Sequence, residues 1–344
     1  TELLNPPVEK EGYSSPDASV SLFVKDLYFA LSEKAILTNK NLAVAKDVLF
    51  YNTAKFVAYL PSLIPSSENK IDNSASITAN SVPVKKIEKK LPCEMGNMSF
   101  DSEVMMIKYL DNNSEIFDLN SEKRWPIASL TKLMSSVIIL ENIDLNKEIT
   151  ITSRAVLSEG EAGGFKEGEI FKAGDLIKAM LMVSSNDAAT AIADDFGIDN
   201  FTAKMREKAN ELKMSQTEYV EPTGLSFINQ SSAEDLAKLM DYIYNNHSEI
   251  LEISRQKEAL ITDLKFARAR KLLSTNKFTG QEDFVGGKTG YIEEAGRNLI
   301  AIFNIGGEKV LIITLGANDA FKEAEKARGA PWKCAQNDIL KSFL

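Results

Sequence analysis

The 344-residue sequence has few of the residues on which several classes of enzyme site depend. Its one histidine, His247, lies in a polar stretch without a motif around it, so we expect a surface position and no Ser-His-Asp or Cys-His centre. The two cysteines, Cys93 and Cys334, are too few for a zinc cluster. A nucleophilic enzyme with this composition therefore needs a general base other than histidine.

Long apolar runs and an excess of positive charge are absent as well. Because no stretch of about 18 or more apolar residues occurs, we expect no membrane-spanning helix in the chain as given. The net charge of -9 disfavours nucleic acid as a partner, since phosphate binding requires a dense basic surface. Hydrophobic residues make up 44% and charged residues 26%, as in a globular protein with a sizeable core.

Composition divides the chain into two parts. Residues 1–19 are rich in Pro, Ser and Glu, whereas residues 20–60 carry apolar residues at helical spacings that predict two amphipathic helices. Residues 65–92 have the Ser, Asn, Lys and Pro content of a linker. We therefore predict an N-terminal helical segment and linker of unknown role over residues 1–92 and a separate domain over residues 93–344.

The second part begins and ends with predicted strands. Residues 102–119 predict two strands around an Asp-Asn-Asn-Ser turn, and residues 297–317 predict two apolar strands around a Gly-Gly turn. Helices are predicted at residues 129–142, 174–196 and 231–255, and a last helix is predicted to carry Cys334. Strands at both ends with helices between them imply an α+β domain with one antiparallel sheet.

An S-x-x-K motif, formed by Ser129 and Lys132, opens the first of these helices. Positions i and i+3 share a helix face, so the Lys132 amine is placed beside the Ser129 hydroxyl. Free backbone N–H groups in the first turn favour negative charge that develops there. The lysine is a base only if burial or a second cation lowers its pKa. Taken alone, the motif also fits an N-cap serine and a surface lysine.

Two further motifs follow. Ser184 and Asn186 lie in an S-x-N motif between apolar helical segments, where polar residues need partners or a function, or form an inter-helix turn. Lys288 and Thr289, flanked by glycines at a strand edge, expose a cation, a hydroxyl and backbone N–H groups to a ligand carboxylate, or form a turn before the strand. Glu282 replaces the first glycine of a P-loop, so nucleotide binding is not expected.

The order and spacing of S-x-x-K, S-x-N and K-T-G resemble the signature of penicillin-binding proteins and class A β-lactamases. The phrases RWPIASLTKLM, EPTGLS and VGGKTGYIEEAGRNLIA resemble the D-alanyl-D-alanine carboxypeptidase family of low-molecular-mass penicillin-binding proteins, over roughly residues 98–330. The resemblance implies a penicillin-binding/β-lactamase-like fold: an antiparallel sheet flanked by helices, with an all-helical subdomain. It also implies a serine carboxypeptidase without metal or cofactor that removes the terminal D-alanine from peptidoglycan stem peptides and is acylated by β-lactam antibiotics.

The catalytic roles follow from the resemblance. Ser129 would attack the carbonyl between two D-alanines and form an acyl-enzyme, with Lys132 accepting the serine proton. Ser184 would relay that proton to the leaving amine, and Asn186 would orient both the substrate amide and Lys132. Lys288 would supply the second cation that keeps Lys132 neutral.

The substrate-binding roles fall on the K-T-G motif and its neighbour. Thr289 would donate a hydrogen bond to the terminal carboxylate, and Gly290 completes the motif. The backbone N–H groups of Ser129 and Tyr291 would form the oxyanion hole.

The motifs leave other activities open. A D,D-endopeptidase or a transpeptidase would use the same residues on cross-links. A class A β-lactamase needs a glutamate in an E-x-x-L-N loop, and Glu159 and Glu161 lie in the right interval without that context. A catalytically silent binding module is disfavoured because all three motifs are intact.

The resemblance also bears on location. It implies an extracytoplasmic enzyme, attached to a membrane only through a segment absent from this chain. It places the elements that carry Cys93 and Cys334 side by side, so a disulfide is possible, with two free thiols as the alternative.

Overall fold

The computed structural model describes residues 93–94, 99–159, 162–330 and 333–334. The two helices predicted over residues 20–60 and the linker predicted over residues 65–92 lie outside the described residues. The division of the chain at residue 92 therefore stays a prediction.

Strands lie at both ends of the described chain and most helices lie between them. The strands are β1 (Cys93–Glu94), β2 (Val104–Tyr109), β3 (Glu115–Leu119), β4 (Trp125–Pro126), β5 (Glu148–Thr150), β6 (Ile170–Lys172), β7 (Gln230–Ser231), β8 (Glu258–Asp263), β9 (Arg268–Leu273), β10 (Phe284–Ile292), β11 (Gly296–Ile305), β12 (Glu308–Ala317) and β13 (Lys333–Cys334). The helices are a 3₁₀ turn (Ala128–Leu130), α1 (Thr131–Asn142), α2 (Ser153–Val156), α3 (Ala173–Met182), α4 (Asn186–Phe196), α5 (Ile198–Glu211), α6 (Ala233–Asn246), α7 (Ser248–Ser254) and α8 (Ala320–Arg328). Of these described helices, none has the length and apolar character that crossing a membrane requires.

One five-stranded antiparallel sheet, in the order β10-β11-β12-β2-β3, organises the domain. Its centre joins the two ends of the described chain, because Ile107 of β2 lies opposite Ile312 of β12. The predicted hairpins at residues 102–119 and 297–317 are confirmed as β2–β3 and β11–β12.

Both faces of this sheet are covered. Along β2, Val104 and Met106 pack into one hydrophobic cluster, whereas Met105 and Ile107 pack into the other. Helices α1, α3, α4 and α6 supply the first cluster, and α8 belongs to the second. A sheet buried on both sides needs strands that are apolar almost throughout, which is why these segments lack a strict polar alternation.

The predicted break between two helices at the S-x-N motif is confirmed. Helix α3 ends at Met182 and α4 begins at Asn186. The Ser185 hydroxyl caps α4 by accepting a hydrogen bond from the Ala188 N–H at 3.2 Å. Ser184 has a positive φ of 61°, so the chain reverses sharply there and the motif lies at the start of a helix.

The prediction that the last helix carries Cys334 is wrong. Helix α8 ends at Arg328, and Cys334 lies in the short strand β13. Gly329 follows the helix and Pro331 lies two residues further on, where its ring and missing N–H prevent helical hydrogen bonding. Cys93 also lies within a strand, β1, which pairs antiparallel with β13.

We predict a disulfide between the two cysteines, because the register places Cys93 directly opposite Cys334. Opposite residues of an antiparallel pair have Cα atoms about 4.5–5.5 Å apart, within the range that a disulfide spans. Protein prepared under oxidising conditions should take up no thiol-alkylating reagent until it is unfolded and reduced, as measured by intact mass. Alkylation of both cysteines in the unfolded protein without reductant would establish free thiols instead.

Candidate active site

The 3₁₀ turn that precedes α1 carries Ser129, and the α-helix expected to start at this residue begins two residues later, at Thr131. Two glycines allow other backbone segments to approach it. A Cβ atom on Gly224 would lie 1.9 Å from the Ala128 carbonyl oxygen, and one on Gly290 would lie 3.0 Å from the Ser129 nitrogen. Ser129 is therefore held between the loop that contains Gly224 and the edge strand β10.

Lys132 is fully buried, and its amine is directed at the serine. Its Nζ donates hydrogen bonds to Ser129 Oγ at 2.9 Å, Asn186 Oδ1 at 2.7 Å and the Thr223 carbonyl oxygen at 2.6 Å. The three acceptors come from three different segments of the chain. They fix the Nζ atom in position beside the hydroxyl that the sequence predicts as the nucleophile.

Burial lowers the pKa of Lys132 from 10.5 to about 7, because the charged form loses its hydration. The negative charge of Glu221 acts in the opposite direction and raises this pKa. A substantial fraction of the amine is consequently neutral near pH 7 and can accept a proton.

Lys288 lies on β10 and is also buried. Its Nζ donates to Ser184 Oγ and to the Thr289 carbonyl oxygen, both at 2.8 Å. Burial lowers the pKa of Lys288 well below its ordinary value, and the charge of Lys132 lowers it further. Burial is thus the main cause of the lowered pKa at both lysines. The role of Lys288 in keeping Lys132 neutral stays a prediction.

Asn186 links Lys132 to a neighbouring loop. While its Oδ1 accepts from Lys132, its Nδ2 donates to the Glu159 carbonyl oxygen at 2.6 Å. The amide is therefore held from both sides, so its oxygen faces the lysine.

The structure brings the three predicted motifs into one cluster through Ser129–Lys132–Asn186 and Lys288–Ser184 contacts. Gly290, the last residue of the K-T-G motif, is buried against the 3₁₀ turn, and Tyr291, which follows it, is 59% exposed. Thr289 precedes Gly290 on β10, where it lies opposite Leu299 of β11 and is half-buried. Their contacts with a substrate stay predictions.

The sequence interpretation missed the Thr223 carbonyl as a partner of Lys132. The available signal was the phrase EPTGLS, which supports the family resemblance but assigns no role to its residues. A main-chain acceptor has no side-chain signature, so only the folded arrangement identifies it.

His247 lies at the junction of α6 and α7. Its side chain is 14% exposed, so it lies partly buried at the surface between these helices. Glu141 lies 3.3 Å from its Nε2 and Glu249 lies 3.6 Å from its Nδ1. These two carboxylates and the Tyr242 ring account for its burial. Among the residues described, no cluster of three or more His, Cys, Asp or Glu side chains could hold a metal ion.

Replacement of Gly224 by alanine should disturb the nucleophile. The new Cβ would collide with the Ala128 carbonyl, and the φ of +86° disfavours any side chain. We expect about a 100-fold loss in the rate of Ser129 labelling by a fluorescent penicillin, since displacement of a catalytic group by about 1 Å costs that much.

Gly306→Ala is the matched control, because Gly306 also has a positive φ but its Cβ would meet open space. It should lower the free energy of unfolding by about 1 kcal/mol and leave the labelling rate unchanged. Equal labelling rates for the two variants would show that the close approach at Gly224 is unimportant.

Comparison with known proteins identifies the family of this chain. The profile of the family described as D-alanyl-D-alanine carboxypeptidase matches residues 94–319. A D-alanyl-D-alanine endopeptidase of Haemophilus influenzae is 38% identical over 190 residues, which cover 53% of this chain and 63% of that protein. The D-alanyl-D-alanine carboxypeptidase DacF of Bacillus subtilis is 31% identical over 220 residues, which cover 60% of this chain and 55% of that protein. The chain thus spans less than two thirds of the length of these two relatives.

Solved structures show the same fold. Penicillin-binding protein D2 from Listeria monocytogenes in a cefotaxime-bound form matches with a TM-score of 0.60 and 29% identity, over 67% of this chain and 97% of that one. A mutant of the Streptomyces K15 DD-transpeptidase matches with a TM-score of 0.62 at 20% identity, over 67% of this chain and 96% of that one. The predicted penicillin-binding fold is confirmed. Because the family profile covers most of the chain, the protein belongs to the D-alanyl-D-alanine carboxypeptidase family.

Proposed function

We propose that this protein is a serine D,D-carboxypeptidase that removes the terminal D-alanine from peptidoglycan stem peptides through an acyl-enzyme on Ser129. The observation that carries the proposal is the contact between Ser129 Oγ and the buried Lys132 Nζ at 2.9 Å, with the pKa of that amine lowered to about 7. The family to which the chain belongs supports the same activity. The reaction needs no metal or cofactor.

Acylation begins with neutral Lys132. It accepts the Ser129 proton while Oγ forms a bond with the carbonyl carbon between the two D-alanines. The carbonyl π electrons move to oxygen, and the backbone N–H groups of Ser129 and Tyr291 stabilise that oxyanion. Asn186 supports this step because it holds the Lys132 amine in line with the hydroxyl.

Collapse of the tetrahedral intermediate breaks the amide bond. Ser184 relays the proton held by Lys132 to the departing D-alanine amine, which returns Lys132 to its neutral form, and Lys288, which donates to Ser184 Oγ, orients that hydroxyl. Thr289 donates to the terminal carboxylate of the substrate. Water then attacks the ester, with Lys132 as its base, and releases the shortened peptide while Ser129 regains its proton.

A β-lactam would react by the same first step, since its strained amide occupies the position of the scissile bond. Ring opening leaves the amine tethered, so the acyl-enzyme persists. Structures of the related Listeria protein in cefotaxime-bound and ampicillin-bound forms support this part of the proposal.

A D,D-endopeptidase that cuts cross-links is the second candidate. Relatives from Haemophilus influenzae, Pseudomonas aeruginosa and Escherichia coli, at 38%, 29% and 28% identity, carry the name D-alanyl-D-alanine endopeptidase. Both reactions acylate the same serine and differ in the leaving amine, which is free D-alanine in one and a neighbouring stem peptide in the other.

The substrate implies a location outside the cytoplasmic membrane, where peptidoglycan lies. We further propose that residues 93–344 form the catalytic domain. The role of residues 1–92 is a separate question from the chemistry of the site.

The rate of acylation should depend on the ionisation of Lys132. Its pKa is lowered to about 7, so the neutral amine predominates above that pH and is lost below it. The second-order rate of Ser129 labelling by a fluorescent penicillin should therefore rise tenfold per pH unit at low pH and level off above a midpoint near 7.

Lys132→Arg should lower the labelling rate by about 10²–10⁴-fold at all pH values, because the guanidinium stays charged. Lys123→Arg, at an exposed position, is the control and should retain the wild-type profile. A pH-independent rate in the wild type would rule out Lys132 as the base.

Acyl-enzyme formation should require Ser129. After incubation with a labelled penicillin, mass spectrometry should find one adduct, on the Ser129 peptide, and none in Ser129→Ala. Ser114→Ala, in the β2–β3 turn, should be labelled like the wild type. Absence of any adduct in the wild type would refute the proposed chemistry, and rapid release of hydrolysed drug would point to a β-lactamase.

Product analysis on purified stem peptides separates the two peptidase activities. Pentapeptide monomers should lose one D-alanine, whereas cross-linked dimers should stay intact. Conversion of dimers to monomers without loss of D-alanine from pentapeptides would favour the endopeptidase.

A further inference from the structure

The Glu221 carboxylate, in the phrase EPTGLS, organises the loop formed by residues 221–226. Its Oε2 accepts hydrogen bonds from the Thr223 N–H at 2.6 Å and the Thr223 hydroxyl at 2.5 Å. Its Oε1 accepts from the Gly224 N–H at 2.6 Å, the Ser226 N–H at 3.4 Å and Asn229 Nδ2 at 2.9 Å. All five partners are donors, so the position requires a group that only accepts, which is an ionised carboxylate.

This loop contributes two contacts to the catalytic centre. The Thr223 carbonyl oxygen accepts from Lys132 Nζ at 2.6 Å, the shortest of the three hydrogen bonds of that amine. The next residue, Gly224, packs against the Ala128 carbonyl group so closely that no Cβ fits. The N–H groups of Thr223 and Gly224 make the two shortest backbone hydrogen bonds to Glu221. These same two residues are the ones that contact the catalytic centre.

Asn229 connects the 221–226 loop to α1 through hydrogen bonds. Its Nδ2 donates to the Glu221 carboxylate and carbonyl, both at 2.9 Å, and to the Thr131 hydroxyl at 3.2 Å. Its Oδ1 accepts from the Val220 N–H at 2.8 Å. Since Asn229 is completely buried, these hydrogen bonds are shielded from water and hold the loop in one position.

We propose that Glu221 is a positioning residue of this site, whose carboxylate folds the 221–226 loop so that the Thr223 carbonyl holds Lys132 beside Ser129. The inference rests on the proposed function, because it assigns the residue a part in the acylation of Ser129. It goes beyond the three motifs, none of which contains Glu221.

Glu221 also has an electrostatic effect on the base. Its negative charge raises the pKa of Lys132, against the larger effect of burial. The charge of Lys132 lowers the pKa of Lys288, so the interaction between the two lysines disfavours protonation of both at once. Removal of the Glu221 charge therefore lowers the pKa of Lys132.

The test compares Glu221→Gln with the wild type in fluorescent-penicillin labelling of Ser129 across a range of pH. Glutamine keeps the length of the side chain but presents an NH₂ group to donors, so the loop should shift. We expect the plateau rate to fall about tenfold or more, with the midpoint of the pH profile moved to lower pH. A role confined to stability would lower the melting temperature and leave the midpoint unchanged.

Glu218→Gln is the matched control, because it removes the same charge three residues earlier and should keep the wild-type plateau and midpoint. A Glu221→Gln profile that coincides with the wild type would overturn the proposal. A wild-type protein that is never labelled would instead refute the proposed function, so the two failures are distinguishable.

Thr223→Val is a second test of the proposal, which applies if Glu221→Gln does not fold. It removes the hydroxyl that donates to Oε2 and keeps the carboxylate charge. A plateau rate reduced roughly threefold to tenfold with an unchanged midpoint is the expected result, since one of the loop's hydrogen bonds is lost. A labelling rate equal to that of the wild type would overturn the positioning role.

Discussion

The burial of one lysine amine is the constraint on which the rest of the site depends. An ammonium group without water is costly, and the protein surrounds Lys132 with three oxygen acceptors to make that burial tolerable. The same burial lowers the pKa to about 7, so a substantial fraction of the amine is neutral near pH 7 and able to accept a proton. A histidine achieves comparable basicity without burial, which explains why this site must be so enclosed.

Close backbone packing makes the enclosure possible. Gly224 and Gly290 bring a loop and an edge strand against the turn that carries Ser129. Gly287, one residue before Lys288, approaches the Ile300 carbonyl of the neighbouring strand so closely that a Cβ would lie 2.1 Å from its oxygen. Backbone segments thus enclose the site in places where side chains would not fit. They also position main-chain groups and Lys288 around Ser129.

The sequence predicted those parts of the site that have distinctive side chains at a distinctive spacing. Ser129, Lys132 and Asn186 meet as expected because their local elements, two helix starts, follow from nearby residues. The Thr223 carbonyl could not be predicted, since every residue has such a group and only tertiary packing selects one. The depth of burial of Lys132 was equally invisible, so the sequence left burial and a second cation as alternative causes of its low pKa.

In the fold as well, local elements could be predicted from the sequence, whereas long-range pairing could not. The hairpins and the helices of the middle segment were predicted from hydrophobic spacing and turn residues. The structure of the segment after α8 was not predicted correctly, because β13 has only two residues and pairs with β1 from the other end of the domain. Such a strand has no periodicity of its own and depends on its distant partner.

The central pairing of β2 with β12 has a consequence for how the protein is made. During translation β2 is synthesised early and β12 almost last. The two strands at the middle of the sheet therefore cannot pair until nearly the whole domain has been synthesised. Lys288 arrives late as well, on the strand that forms the far edge. Until β10 has been synthesised, Ser129 and Lys132 therefore lack Lys288 and the edge strand that packs against the 3₁₀ turn.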